Sequence, residues 1–251
     1  MTATTAKKTE PKTQKASSQK LRIHFADGNK GGVGKSFLAR TLYQYCLDRD
    51  KPILGVEADI DSPDFKGIYP DASVTYFSED EAQDYRPCDI FNWAINEQKS
   101  IVVNLPATVH KAFYAWLNNY NILDLAKTSQ VDLVKWFVCT GEYDSMKSLG
   151  VSLKTLGNTI PHVIVKNLKY SDWAFFEQDE ELQTLIRQYH CPVITLPKLP
   201  LQIASTLLQQ RLTFSNALTY HSPSFGIVQQ SAVRGYLTQA YANFETTPWV
   251  K

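Results

Sequence analysis

A glycine-rich stretch at residues 29–36 constrains the fold of this chain more than any other feature. Its sequence is Asn-Lys-Gly-Gly-Val-Gly-Lys-Ser. A short strand-like run precedes it at 21–26, and apolar residues at helical spacing follow it over 37–47. A glycine loop between a strand and a helix is the arrangement in which proteins bind nucleotide phosphates. The sequence therefore predicts a phosphate-binding loop at the edge of an α/β sheet.

Three glycines let the loop turn its backbone N–H groups inward, because residues without a Cβ adopt left-handed conformations at little cost. They are Gly31, Gly32 and Gly34. A helix that begins near Lys35 points the positive end of its dipole at the phosphates. Lys35 adds a charge for the phosphate oxygens, and the Ser36 hydroxyl reaches Mg²⁺. These residue types predict a nucleoside triphosphate with Mg²⁺ as the ligand.

One lysine makes the pattern more specific. The strict Walker A pattern has glycine at position 29, where this chain has Asn29, a residue that tolerates a left-handed backbone. With Lys30 included, residues 30–36 resemble the deviant Walker A loop of the ParA/MinD superfamily of partition and positioning ATPases. The resemblance implies a P-loop NTPase of the SIMIBI/ParA–MinD type. It also implies a dimer that sandwiches two ATP molecules, with Lys30 reaching the partner's nucleotide.

The resemblance further implies which loop residues contact ATP. They are Asn29, Gly31, Gly32, Val33, Gly34, Lys35, Ser36 and Phe37.

Strands alternate with helices along the chain, which predicts a doubly wound, mostly parallel sheet with ligands at its carboxyl edge. The 251 residues, of which 43% are hydrophobic, suit a single domain over 21–251. The expected strands are 21–26, 51–59, 100–107, 131–138, 161–167 and 192–196. The expected helices after the first are 110–126, 143–156, 177–189, 199–210 and 226–244. Residues 68–99 are irregular and rich in aromatics, with a short helix at 89–95, and packing explains them better than an interaction surface.

The second strand ends in two acids, Glu57 and Asp59. Acids at the carboxyl end of a parallel strand face the ligand crevice. The resemblance implies that Asp59, in switch I, positions the attacking water and senses Mg²⁺, whereas Glu57 replaces an acid that is usually aspartate. Asp61 and Asp64 follow in a loop, where turn chemistry is the better explanation for both.

The third strand resembles the switch II strand of the superfamily but carries Asn104, where relatives usually have an aspartate that holds a water on Mg²⁺. An amide accepts a hydrogen bond from that water but brings no charge. We therefore expect hydrolysis to be affected more than nucleotide binding. Two functions remain open. The first is a slow, dimerising ATPase with Lys30, Lys35 and Asp59 as its catalytic residues. The second is a nucleotide-gated protein-binding switch with little or no hydrolysis.

Two later strand ends are candidates for the adenine pocket. Asn167 matches the asparagine that relatives place against the base, and its amide offers a donor and an acceptor together. A strand-end cap or turn residue is an equal alternative. Pro197 follows the last strand, where relatives line the base pocket with backbone.

Residues 1–20 differ in composition from the rest of the chain. They contain five lysines against Glu10, a net charge of +4, so the remainder carries about −3 of the total +1. With one proline and no aromatic residue, this segment is predicted to be a disordered basic arm. It is either a solubilising leader or a contact for DNA or a partner protein. The acidic remainder argues against non-specific DNA binding through the globular body.

The cargo is not defined by these motifs. The chain also resembles the ParA-like accessory proteins of plasmid mobilisation and conjugation in its loop sequence, in the acids that end the second strand and in Asn104. Mobilisation and plasmid partition are equally favoured by these features. The resemblance implies a homodimer and allows an adaptor or a relaxase-type partner.

We expect a cytoplasmic protein, because no segment approaches the roughly 18 apolar residues of a membrane span and the N-terminus lacks a secretory signal. The final helix lacks the basic and bulky apolar faces of a membrane-targeting helix. Four separated cysteines without a C-x-x-C pair argue against structural zinc, disulfides and an iron–sulfur cluster.

Overall fold

The fold is built on one sheet of seven parallel strands in the order β3-β2-β4-β1-β5-β6-β7. The computed structural model describes residues 20–251, so the arm predicted for 1–20 lies outside the described residues except for Lys20. The strands are β1 (Arg22–Asp27), β2 (Ile53–Glu57), β3 (Ser73–Val74), β4 (Ser100–Asn104), β5 (Asp132–Cys139), β6 (His162–Asn167) and β7 (Val193–Leu196). The predicted doubly wound parallel sheet is confirmed.

Eleven α-helices connect or follow these strands within residues 20–251. They are α1 (Lys35–Leu47), α2 (Asp64–Ile68), α3 (Cys88–Glu97), α4 (His110–Asn119), α5 (Ile122–Thr128), α6 (Tyr143–Leu156), α7 (Ala174–Gln178), α8 (Glu180–Gln188), α9 (Leu201–Gln209), α10 (Phe214–Ala217) and α11 (Ile227–Glu245). A 3₁₀ turn, Pro248–Val250, follows α11. None of the helices in this part of the chain combines the length and the apolar character needed to cross a membrane.

Helices cover both faces of the sheet. The helices α1, α2, α9, α10 and α11 share one core with strand residues such as Trp136. The helices α3 to α8 pack on the opposite face, against residues such as Phe25 and Phe137. Because both faces are covered, the central strands read as continuous apolar runs. This arrangement leaves the carboxyl ends of the strands free to form a site.

Two helices predicted as continuous are each divided in the structure. The helix expected over 110–126 breaks at Asn121, which adopts a left-handed conformation with φ 48° that asparagine tolerates better than most residues. The helix expected over 177–189 breaks at Asp179, whose Oδ1 accepts the Leu182 N–H at 3.0 Å and so caps α8. Asp179 followed by two glutamates is a helix-start signal in the sequence, whereas the break at Asn121 depends on one left-handed residue.

The aromatic stretch after β2 is largely packed against the sheet and its helices. Phe77 contacts Phe113 and Trp116 with ring centroids 5.7 Å apart in each case, and Tyr69 is buried against Tyr43. The two-residue strand β3 also lies here and was not predicted, since it is too short to show alternation. Packing therefore explains most of these aromatic residues, although Tyr85 is exposed.

Candidate functional site

The loop between β1 and α1 has the backbone that a phosphate site requires. Gly32 and Gly34 have φ of 78° and 111°, both in the left-handed region. Gly34 is the N-cap residue, which immediately precedes α1. A Cβ built on Gly34 would lie 2.6 Å from Asn167 Nδ2, closer than side chains approach one another. Both the backbone conformation and the packing therefore require glycine at position 34.

Lys35 is the first residue of α1, and its side chain is buried within the loop. Its Nζ donates a hydrogen bond of 3.1 Å to the backbone oxygen of Lys30. Burial lowers the pKa of Lys35, while the carboxylates of Asp27 and Asp59 act in the opposite direction. The ammonium group is thus held inside the loop, at the helix N-terminus, where phosphate oxygens would replace its lost solvation.

A hydrogen-bonded cluster joins the loop to the ends of β2 and β4. Asn104 Nδ2 donates to Ser36 Oγ at 3.2 Å and to Glu57 Oε1 at 2.7 Å. Asn104 and Glu57 are both fully buried. The ends of β2 and β4 and the loop serine therefore meet at the carboxyl edge of the sheet.

Glu57 has a role that the sequence pattern did not reveal. Its carboxylate accepts backbone N–H groups from Asp59 at 3.1 Å, from Phe65 at 2.9 Å and from Lys66 at 3.2 Å. Burial raises the pKa of Glu57, and these hydrogen bonds together with that from Asn104 oppose the rise. Glu57 fixes the segment that carries Asp59, and the only sequence signal was glutamate in place of the usual aspartate.

Ser36 and Asn104 of this cluster, together with Asp59 two residues after Glu57, carry oxygens of the kinds that suit Mg²⁺. Ser36 Oγ lies beside Asn104, and Asp59 is partly buried with Oδ1 accepting the Ser62 N–H at 3.2 Å. Asn104 Oδ1 is buried and has no hydrogen-bond partner among residues 20–251. Hydroxyl and carboxylate oxygens are ligands that Mg²⁺ prefers, and it usually keeps several waters that need acceptors. The orphaned amide oxygen suits such a water, so these residues fit Mg²⁺ with a nucleotide.

Lys30 lies on the outer side of the loop and is exposed. Its Nζ forms an ion pair of 2.8 Å with Glu142 Oε2, just after β5. The Glu142 carboxylate also accepts the Thr140 hydroxyl at 3.1 Å. The hydrogen bond with Glu142 raises the pKa of Lys30, and the same bond lowers the pKa of Glu142. Lys30 is therefore charged, accessible and held by a contact that solvent reaches.

Asn167 ends β6 directly beneath the loop. Its Nδ2 donates to the backbone oxygen of Val33 at 2.8 Å, and its Oδ1 accepts the Lys169 N–H at 3.0 Å. Both ends of the amide are thus used within the chain, which ties the loop to β6. The contact with adenine stays a prediction, as does that of Pro197, which lies buried immediately after β7.

The remaining predicted residues lie at the rim of the site. The Phe37 ring packs against Phe214 and Tyr236, with ring centroids 5.7 and 5.3 Å apart, so a contact with nucleotide would use its backbone. Asp61 is exposed in the bend after β2, and Asp64 is the first residue of α2. The positions of both acids agree with turn and helix-start chemistry.

Two charged residues behind the loop were also missed. Asp27 Oδ2 and Lys135 Nζ lie 2.9 Å apart, and each side chain is 1% exposed. Asp27 ends β1 and so precedes the glycine loop directly. An acid at a strand end was the available signal, but nothing in the sequence pairs it with a lysine in β5.

Comparisons with known proteins support the fold. No family model matches the chain. Protein MobD of Acidithiobacillus ferrooxidans is 26% identical over 200 residues, which cover 78% of this chain and 86% of that protein.

Solved structures with a similar fold include two of MinD. The septum site-determining protein MinD of Pyrococcus horikoshii, complexed with Mg-ADP, gives a TM-score of 0.51 at 13% identity over 86% of this chain and 94% of its own. The MinC:MinD cell division protein complex of Aquifex aeolicus gives 0.50 at 14% identity, over 85% and 94% respectively. The fold is that of MinD, which confirms the fold that the resemblance of residues 30–36 implies.

Proposed function

We propose that this chain, which has the fold of MinD and is similar in sequence to MobD, is a Mg-ATP-dependent dimerising ATPase switch of the ParA/MinD type. The observation that carries the proposal is the loop geometry. Left-handed Gly34 places Lys35 and the Ser36 hydroxyl at the N-terminus of α1, and Ser36 is bonded to Asn104 at 3.2 Å. A triphosphate is the ligand whose charge and oxygens this arrangement satisfies.

Each residue of the cluster has a distinct task in this proposal. Lys35 and the loop N–H groups bind phosphate, while Ser36, with Asp59 and a water held by Asn104, binds the metal. Asp59 also orients the attacking water. Bound Mg²⁺ would supply positive charge that offsets the negative charge on the phosphate oxygens while water replaces ADP on the γ-phosphoryl group. Catalysis then consists of positioning and charge neutralisation, without a covalent intermediate.

Lys30 links the nucleotide to dimerisation. Its ion pair with Glu142 is about half exposed on both sides, and exposed ion pairs contribute little to stability. Exchanging that contact for the nucleotide of a partner subunit therefore costs little. The nucleotide would act as the signal for dimer formation.

A nucleotide-gated binding switch with little or no hydrolysis is the second candidate. The observation that favours it is Asn104, which places an uncharged amide beside Ser36 and donates its N–H groups to Glu57 and Ser36. Position 104 thus adds no charge at the metal. Phosphate release, measured alone and with DNA or a partner protein, separates the two candidates, and no release under any condition favours the pure switch.

The process served is plasmid mobilisation or plasmid partition. The similarity to a protein named MobD favours mobilisation. In that case an adaptor or a relaxase-type protein is the expected partner. The basic segment at residues 1–20 is the candidate contact for non-specific DNA.

Sedimentation velocity tests the proposed switch. The protein is run without nucleotide, with Mg-ADP and with a slowly hydrolysed Mg-ATP analogue, and a dimer is expected with the analogue alone. The Lys30→Ala protein should bind the analogue but remain monomeric, whereas Glu142→Ala, which removes the intramolecular partner, should still dimerise. A dimer of Lys30→Ala as stable as that of the wild type would refute the role of Lys30.

A further inference from the structure

The ion pair behind the phosphate loop has no task in the function proposed above. Asp27 and Lys135 are both buried, with Oδ2 and Nζ 2.9 Å apart. Buried charges are costly unless they are paired and hydrogen-bonded, and apolar residues of similar size often replace them without loss. Two such charges directly beneath a ligand loop therefore point to a task connected with the ligand.

Asp27 is in direct contact with the loop. Its Oδ1 accepts the N–H of Gly28, the first residue after β1, at 2.7 Å. The Lys35 side chain passes close to this point, since a Cβ built on Gly28 would lie 3.3 Å from Lys35 Cγ, and the Asp27 carboxylate acts to raise the pKa of Lys35 against the larger effect of burial. Asp27 thus lies near two ammonium groups, and it pairs with Lys135 while Lys35 donates to the backbone oxygen of Lys30.

Lys135 is held in place by a chain of hydrogen bonds in which the donor and the acceptor of each bond can be assigned. Its Nζ donates to Ser152 Oγ at 3.1 Å, and Ser152 Oγ lies 2.9 Å from His162 Nε2. His162 Nδ1 lies 2.8 Å from the backbone oxygen of Ile160, which can only accept. Burial lowers the pKa of His162 to about 4, so the neutral ring donates through Nδ1 and accepts the Ser152 hydroxyl at Nε2. The Ser152 oxygen is then free to accept from Lys135.

The chain of contacts therefore fixes Lys135 as a charged group aimed at Asp27. We propose that Lys135 is a positioning residue for nucleotide binding: it neutralises Asp27 and so leaves Lys35 free for the phosphates. Without the charge on Lys135, the Asp27 carboxylate would draw Lys35 towards β1. It would also place an uncompensated negative charge beneath a loop that must receive a polyanion. The inference rests on the proposed nucleotide site.

Three variants test it: Lys135→Met, Asp27→Asn and the double variant. Affinity is measured by calorimetric titration with Mg-ADP and with a slowly hydrolysed Mg-ATP analogue. Lys135→Met should raise Kd by roughly tenfold or more, and more for the analogue than for ADP, because the triphosphate carries more charge. Asp27→Asn, which keeps an oxygen for the Gly28 N–H, should bind within about threefold of the wild type. The double variant should recover the affinity lost in Lys135→Met.

A purely structural pair would give a different result. If the pair only stabilised the fold, Lys135→Met would have a lower thermal unfolding midpoint, but the folded variant would bind nucleotide with wild-type affinity. That outcome, or a double variant as weak as Lys135→Met, would overturn the inference. If Lys135→Met does not fold, Asp27→Asn still tests it, since a roughly tenfold loss in that variant would contradict the proposed neutralisation. Failure of the wild type to bind either nucleotide would instead reject the proposed function.

Discussion

Asn104 Nδ2 donates a hydrogen bond of 2.7 Å to Glu57 Oε1 inside the core, next to Ser36. The resemblance to the superfamily implies that aspartate is the usual residue at both positions. The amide supplies the donor that the buried glutamate needs, so the two departures compensate each other. A carboxylate at position 104 would instead face the carboxylate of Glu57.

Asn104→Asp is therefore expected to destabilise the protein. It replaces a hydrogen bond to a buried carboxylate by repulsion between two carboxylates, which should lower the free energy of unfolding by about 2–3 kcal/mol at pH 7. In the double variant Glu57→Gln/Asn104→Asp, the amide at position 57 donates to the carboxylate at position 104. This variant should therefore recover at least half of the lost free energy of unfolding. Urea unfolding measures both, and a fully stable single variant would contradict the account.

The same double variant tests whether Asn104 limits hydrolysis. It returns an acid to position 104 beside Ser36, where a charge can stabilise a metal-bound water. If the chain is a slow ATPase, the rate of phosphate release should rise by roughly fivefold or more. Steady-state phosphate release at saturating Mg-ATP measures this, with Glu57→Gln alone as the control. An unchanged rate would mean that another residue limits turnover.

Gly34→Ala should damage the loop. Its φ of 111° and the approach of Asn167 Nδ2 to 2.6 Å leave no room for a Cβ. The free energy of unfolding should fall by about 2 kcal/mol, and nucleotide affinity should fall with it. Gly150→Ala is a matched control, because Gly150 lies in α6 with nothing within 4 Å of its added Cβ. It should stabilise the protein by about 0.5–1 kcal/mol, and equal effects of the two substitutions would contradict the structure.

Acid should destabilise the protein through His162. Burial lowers its pKa from 6.5 to about 4, so below pH 6.5 the unfolded chain takes up a proton that the folded state does not. Stability from this residue is thus present above pH 6.5 and is lost as the pH falls towards 4. Between pH 7.5 and 5.0 the loss should be about 2 kcal/mol. His162→Gln should remove that part of the pH dependence in urea unfolding, whereas an unchanged slope would show that His162 is not the source.

Much of the fold and the centre of the site follow from sequence because their signals are local. The glycine loop, the strand before it and the helix after it lie within 27 consecutive residues, from Leu21 to Leu47. The fold class follows from alternating periodicity. Asn104 was recognised as a departure because it ends a clear strand.

Other features depend on contacts between distant parts of the chain. Glu57 and Asn104 are 47 residues apart, and no local pattern indicates that one side chain supplies the donor for the other. The pairing of Asp27 with Lys135 depends in the same way on β1 lying next to β5. The break at Asn121 depends on a single residue that adopts a left-handed conformation. Such features are therefore seen in the three-dimensional structure and not in the sequence pattern.

The central claim is that the loop between β1 and α1 binds Mg-ATP. Calorimetric titration of the wild type, of Lys35→Ala and of Lys99→Ala tests this claim most directly. Lys99 is the control, because its partly exposed side chain pairs with Glu97 just before β4, at the opposite end of the strand from Asn104. The wild type and Lys99→Ala should bind with equal affinity, and Lys35→Ala should lose about 100-fold or more, as expected for a buried charge-assisted contact. Unchanged nucleotide affinity in Lys35→Ala would contradict the account.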